Sequence, residues 1–377
     1  MTTPHFHQLT VKHLSPEAAG AVAVTFAVPT HLHSEYRFKP GQFLTLRASI
    51  NGEMIRRSYS ICSSVQRFAD LQEIEVGIKP VAGGVFSNWA LQLQVGDVLE
   101  VMTPEGRFSP RAGAVAARGS SLHRVAFAAG SGITPVLSIL ASSLHDDPLS
   151  RFTLVYANQS VNTIMFNEAL QDLKDQYPAR LALIHVFSRQ AQDVALLAGR
   201  LDEAKVADLL KALLPADHID EAFVCGPEGM IDAVEKALLR AGLAREAIHT
   251  ERFFTVDSAR PSRQNTVKTI AGYACPPGVS GTNDLQFALQ VVLDGKTHNL
   301  AMGADDKVLD VALASGLDLP YACRGGVCCT CRARVLEGRV EMEKNFTLEQ
   351  WEIDKGFVLT CQARPVTPQV VVSFDER

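Results

Sequence analysis

The stretch LPYACRGGVCCTC, residues 319–331, decides how the last quarter of this 377-residue chain folds. Its thiols run Cys323-x4-Cys328-x2-Cys331, and Cys361 follows after 29 intervening residues. That is the plant-type [2Fe-2S] spacing. Two irons bridged by two sulfides need four thiolates. Three can come from one loop only if the loop folds around the cluster. Gly325 and Gly326 allow the unusual dihedrals this requires and leave N–H groups free to point at sulfur. Cys361, in VLTCQA, is expected from a distant strand. Zinc is the competing reading, but zinc knuckles favour paired C-x2-C spacings and a single such pair occurs in this stretch. Cys329 reads as a small filler beside the ligands.

Composition bounds the rest. The chain has room for two or three domains. Hydrophobic content of 47%, charged content of 20% and a net charge of -5 describe a soluble globular protein and point away from nucleic acid or an anionic membrane surface. The start, MTTPHFHQLT, has neither a basic nor an apolar leader region, so a cytoplasmic location is expected. Residues 125–144 carry no charge and are long enough to imitate a membrane span. Their glycines, proline and serines argue instead for a buried strand, a loop and a helix. The chain has eight cysteines, and a disulfide framework is out of place in it; a cluster such as that at 323–331 more often binds metal or does redox chemistry.

Upstream of the cluster the chain changes character twice. Residues 1–118 hold short β-branched runs (22–28, 43–46, 74–78, 98–102) between Pro, Gly and Asn turns, the rhythm of an antiparallel β-barrel. Over residues 119–255, strand candidates at 125–129, 152–156, 181–187, 222–225 and 248–253 alternate with helical segments such as 166–177 and 230–241. Alternation of this kind implies an α/β domain with a parallel sheet. Residues 256–284 are polar and aperiodic and read as a linker; 29 flexible residues would span roughly 30 Å. Residues 285–377 form the cysteine-bearing domain, an α+β unit of β-grasp type.

Two further sites come from residue chemistry. Tyr59 offers a flat aromatic surface for a flavin ring, Ser60 a hydrogen-bond partner near its N5 atom, and Arg57 a positive charge for its phosphates. Gly83, Gly84 and Ser87 follow, and residues 84–87 can open a short helix whose N-terminus faces a pyrophosphate. Lys79 is a candidate for the same phosphates. In the second region the strand VAFAA runs into Gly130-x-Gly132-x-Thr134-Pro135 and then a helix, as at a dinucleotide site, with proline in place of the third glycine. After the strand LALIHVF come Ser188 and Arg189, where an NAD site places an acid. A hydroxyl and a guanidinium suit a 2′-phosphate, so NADPH is favoured over NADH.

R-x-Y-S followed by G-x-x-S resembles the ferredoxin–NADP reductase family, which also uses the G-x-G-x-x-P form. The resemblance implies a barrel that binds flavin through these positions, with FAD favoured over FMN. It places Cys225, Gly226 and Pro227 beside the nicotinamide, with Cys225 near the hydride-transfer point, and Glu251 near the flavin. By this reading Tyr59, Ser60, Cys225 and Glu251 line the reaction centre. The full chain resembles the reductase components of bacterial phenylacetyl-CoA epoxidase complexes, through RFKPGQFLTL, RRSYSIC, AAGSGITP, CGPEGMI, LPYACRGGVCCTC and VLTCQARP. That implies electron flow from NADPH through FAD and [2Fe-2S] to a di-iron oxygenase on another polypeptide, since the carboxylate signature of a di-iron bundle is missing from this sequence. A reductase for another aromatic-ring oxygenase and a non-enzymatic iron–sulfur redox module remain alternatives.

Overall fold

The computed structural model describes residues 5–111, 121–253 and 287–376. The expected linker over 256–284 lies outside them, as do the boundaries drawn at 118, 255 and 285. The chain divides into two compact units, Pro4–Phe253 and the part from Phe254 onward.

The first unit begins with an antiparallel sheet. Its strands are β1 (Phe6–Glu17), β2 (Ala21–Ala27), β3 (Phe43–Ile50), β4 (Glu53–Ser60), β5 (Glu73–Ile78) and β6 (Val98–Met102), with helices α1 (Val65–Leu71) and α2 (Val85–Trp89) between them. Their order is β4-β3-β6-β1-β2-β5. Asn51 and Gly52, both at positive φ, make the tight β3–β4 hairpin that sets the register carrying residues 57–60. A bridge from Ile61 to Val76, beside the Cys62 N–H bond to the Glu75 carbonyl, ties the two outer strands into a barrel.

In the same unit, β7 (His123–Ala129), β8 (Arg151–Asn158), β9 (Leu181–Phe187), β10 (Glu221–Gly226) and β11 (Ile248–Arg252) pair in parallel, in the order β11-β10-β7-β8-β9. Helices α3 (Ile133–Asp146), α4 (Asn167–Gln176), α5 (Glu203–Ala212) and α6 (Glu228–Arg240) connect them. The strand order reverses between β7 and β10, and ligands of open α/β sheets bind at the carboxyl ends of the strands at such a point.

The charge-free residues 125–144 resolve into β7, a 3₁₀ turn at Gly130–Gly132 and the nearly all-buried helix α3. No helix among the described residues is long and apolar enough to cross a membrane. Two serines of α3 reach the barrel. Ser138 Oγ donates to the Ser63 carbonyl at 2.7 Å, and Ser142 Oγ accepts from the Val65 N–H at 3.1 Å. Barrel residues Ala21, Ala23, Cys62 and Phe108 share an apolar core with α3 and β7.

The second unit holds β12 (Phe287–Leu293), β13 (Lys296–Met302), α7 (Val308–Ala314), β14 (Arg332–Glu337), β15 (Val340–Met342), α8 (Gln350–Asp354), β16 (Phe357–Leu359), β17 (Ala363–Pro365) and β18 (Gln369–Ser373). The sheet β13-β12-β18-β14-β16 is mixed, with β12 and β18 parallel, and β15 pairs with β17. It has its own core around Leu289, Val291, Leu309, Val370 and Phe374. One expectation is corrected: Cys361 stands in the turn between β16 and β17, not within a strand. A turn lets its thiol leave the sheet plane, where a strand would fix it to one face.

Candidate redox centres

At the end of β4 the register of the hairpin delivers Tyr59 and Ser60. Tyr59 is half-buried and its ring lies 5.8 Å from that of Phe86 on α2, which meets Trp89 edge-on at 5.3 Å. Burial raises the Tyr59 hydroxyl above its ordinary range, so it stays neutral and hydrogen-bonding. Ser60 is buried, and its Oγ donates to Glu251 Oε2 at 3.1 Å across 191 positions of sequence. Burial pushes the Glu251 carboxyl up to about 8, only partly opposed by that bond, although part of the side chain still reaches the surface. Cys225 pairs with Glu251 in the β10–β11 ladder and is fully buried; burial, then the Glu251 charge, holds its thiol protonated. Ser60 of the barrel is thus tied to Glu251 of the parallel sheet and, through its ladder, to Cys225, with Tyr59 the residue before Ser60.

Arg57 is exposed, and its Nη1 donates to the Arg56 carbonyl. Gly83 has φ +72, and Gly84 caps α2. A Cβ on Gly84 would come within 2.6 Å of Ser87 Oγ, which accepts from the Val81 N–H at 3.2 Å. This close-drawn turn, with a helix start behind it and the Tyr59 face nearby, fits a flavin and its phosphates. Lys79 directly follows β5. Its ammonium lies about 3.7 Å from where a Cβ of Gly130 would sit, facing the loop after β7.

That loop is the second centre. Gly130 has φ +53, and Gly132 has no room for a side chain, since a Cβ would stand 2.1 Å from the Cys225 carbonyl oxygen. Thr134 and Pro135 lie in the first turn of α3, where Thr134 Oγ1 donates back to the Ser131 carbonyl at 3.0 Å. The loop after β7 meets the carboxyl end of β10, where Gly226 is the last strand residue and Pro227 follows, at the strand reversal, and α3 begins there. Ser188 and Arg189 are exposed at the end of β9, held by N–H bonds to the Asn158 and Gln159 carbonyls. Sequence reading missed Tyr156. This fully buried residue on β8 donates its hydroxyl to the Gly130 carbonyl at 2.8 Å. The signal was a lone polar aromatic in the strand FTLVYAN.

The third centre is the thiol loop. Cys328 Sγ donates to Cys323 Sγ at 3.1 Å, and Cys331 hydrogen-bonds Cys361, so the four sulfurs form two pairs. In each pair one thiol is drawn towards the thiolate. Cys323 is lowered by the Cys328 thiol and by the N–H groups of Gly325, Val327 and Cys328, and Cys361 by the Cys331 thiol. Arg324 at φ +53 and Gly326 at φ +77 turn the backbone so that these N–H groups face sulfur. A Cβ on Gly326 would press to 2.9 Å from the Lys344 carbonyl. Two thiol pairs in a nest of N–H donors fit a cluster with two irons. Cys329 is partly exposed beside them.

A flavin barrel, a nucleotide sheet and a four-thiol loop in one chain define an iron–sulfur flavoprotein reductase. Family models match over residues 10–109 (oxidoreductase FAD-binding domain), 127–236 (oxidoreductase NAD-binding domain) and 291–366 (2Fe-2S iron-sulfur cluster binding domain). The chain is 45% identical to one component of the 1,2-phenylacetyl-CoA epoxidase of Escherichia coli strain K12, covering 100% of this chain and 99% of that one. It is 35% identical to the ferredoxin reductase component of 3-ketosteroid-9-alpha-monooxygenase from Rhodococcus rhodochrous, covering 97% and 96%. A solved phthalate dioxygenase reductase shares the fold with a TM-score of 0.56, at 19% identity over 98% of each chain. The chain belongs to the family of FAD- and [2Fe-2S]-dependent reductase components of multicomponent oxygenases. It is an electron-transfer oxidoreductase that works with an oxygenase.

Proposed function

We propose that this chain carries electrons from NADPH through FAD and [2Fe-2S] to the di-iron oxygenase component of a phenylacetyl-CoA epoxidase. The observation that carries the reading is the 45% identity to the Escherichia coli epoxidase component over the whole length of both chains. Bound flavin supplies the exchange between a two-electron hydride donor and a one-electron cluster.

The chain's own residues prepare that exchange. Tyr59, backed by Phe86 and Trp89, gives the flavin ring an aromatic wall. Arg57 and the turn at Gly83, Gly84 and Ser87 hold its phosphates. Gly130, Gly132, Thr134 and Pro135 shape the nucleotide loop, with Lys79 supplying positive charge beside it. Gly226 and Pro227 form the opposite lip, where Cys225 presents a neutral, compact side chain. Glu251, with a carboxyl that titrates near 8, holds a proton at neutral pH, and Ser60 fixes its orientation. Ser188 and Arg189 recognise a 2′-phosphate. Cys323, Cys328, Cys331 and Cys361 ligate the cluster.

Anaerobic titration of the purified chain with NADPH and with NADH, following flavin and cluster absorbance separately, tests the cofactor order and the nucleotide preference. Arg189→Ala is expected to raise the KM for NADPH and leave that for NADH unchanged. Reconstitution with a phenylacetyl-CoA epoxidase oxygenase and with a steroid monooxygenase oxygenase separates this reading from its alternative, to which the 35% identical Rhodococcus relative lends support. Electron delivery to the second partner alone would reject the epoxidase assignment.

A further inference from the structure

The thiol-bearing unit holds a charge pair, one partner buried and the other 14% exposed, that none of the three centres uses. Glu352 on α8 is wholly buried, and its Oε1 accepts from Arg332 Nη1 at 2.5 Å. Its Oε2 accepts from the Glu349 N–H at 3.1 Å, which fixes the carboxylate from the other side. The Arg332 guanidinium lies 4.5 Å over the ring of Phe357. Arg332 directly follows Cys331, and Phe357 opens the strand that leads to Cys361. Between these arms the Cys331 carbonyl is held twice, by the Thr360 N–H at 3.1 Å and by Thr360 Oγ1 at 2.8 Å.

Stability alone is a poor reason for such a pair. Desolvating two charges is expensive, and apolar replacements of similar volume are often as stable. What a buried pair does supply is fixed charge, which acts strongly in a medium of low dielectric. Cluster potentials respond to charge and hydrogen bonding near the thiolates. An added electron makes the centre more negative, so positive charge in its surroundings favours the reduced state and negative charge disfavours it.

We propose that Arg332 and Glu352 are positioning residues that together set the reduction potential of the centre held by Cys323, Cys328, Cys331 and Cys361. The proposal rests on the reading of those cysteines as cluster ligands. The two charges offset each other, so removing either one displaces the potential, and the two displacements have opposite signs.

The test is a redox titration of the full chain carrying its cluster, followed by electron paramagnetic resonance. Glu352→Gln leaves the guanidinium uncompensated, and the potential is expected to rise. Arg332→Gln leaves the carboxylate, and the potential is expected to fall. Arg332→Lys keeps the charge and is expected to stay close to the parent. A loaded Glu352→Gln variant at or below the parent potential overturns the proposal. Should that variant not fold, Arg332→Gln decides alone, and an unchanged or raised potential overturns it. Failure of both to retain a cluster also overturns it, because the pair is then a folding element only. A parent chain without any [2Fe-2S] signal would instead reject the ligand assignment.

Discussion

Replacing Gly132 by alanine tests whether the approach of the loop after β7 to the end of β10 builds the nucleotide site. The added Cβ would lie 2.1 Å from the Cys225 carbonyl oxygen, 2.6 Å from its carbonyl carbon and 3.0 Å from the Gly226 nitrogen. All three are backbone atoms, so no side chain can swing away. Ordinary contact begins near 3.4 Å, so the two segments must part by about 1.3 Å. Overpacking of this kind costs about 1–3 kcal/mol of stability. The larger effect is expected in turnover, because displacing a reacting group by about 1 Å can cost about 100-fold in rate. Stopped-flow measurement of flavin reduction by NADPH reads that loss directly. Flavin and cluster content, from absorbance, should match the parent. If Gly132→Ala reduces its flavin at the parent rate and melts at the parent temperature, this approach does not build the site.

Other consequences follow from single contacts. Tyr156→Phe removes the hydroxyl that holds the Gly130 carbonyl; a bond of about 0.5–1.5 kcal/mol corresponds to a roughly 2- to 10-fold higher KM for the nucleotide, readable by steady-state kinetics. Glu221 is fully buried among Arg124, Arg111 and His249, which hold its carboxyl down to about 2 against the opposing effect of burial. Its stabilisation is complete above the ordinary carboxylate value of 4.5 and is lost as pH falls from there towards 2. Glu221→Gln strands a buried guanidinium and should cost about 3–5 kcal/mol in denaturant melts, with kcat unchanged because the group lies at the amino end of β10. Glu251 has the opposite sign. Its raised value means the folded chain keeps a proton that the unfolded chain releases, so stability declines as pH climbs from 4.5 to about 8. Glu251→Gln should flatten that decline in melts recorded across the range.

Much of this was legible because the chemistry is local. Cysteine spacing, glycines between a strand and a helix, and R-x-Y-S each declare themselves within a dozen residues. What escaped the sequence depends on distance along the chain. Ser60 meets Glu251 through the docking of a barrel on a parallel sheet, which no periodicity encodes. Tyr156 meets the Gly130 carbonyl across 26 positions of sequence. The long strand β1 went unnoticed because its polar residues face outward in an irregular pattern broken by a bulge after Val11. Helix α5 is short and only weakly amphipathic, with Val206, Leu209 and Leu210 as its buried residues.

The serines of α3 carry a lesson for anyone recombining these reductases. Ser138 and Ser142 spend their hydroxyls on the backbone of the barrel loop at residues 63–65, beneath apolar packing shared by both parts. A chimera cut at 112–120 would mate a foreign barrel to this helix and leave buried polar groups without partners, each at a penalty of about 1–3 kcal/mol. A cut within 254–286 crosses neither bond. Exchanging flavin barrels requires that residues 63–65 and α3 travel together.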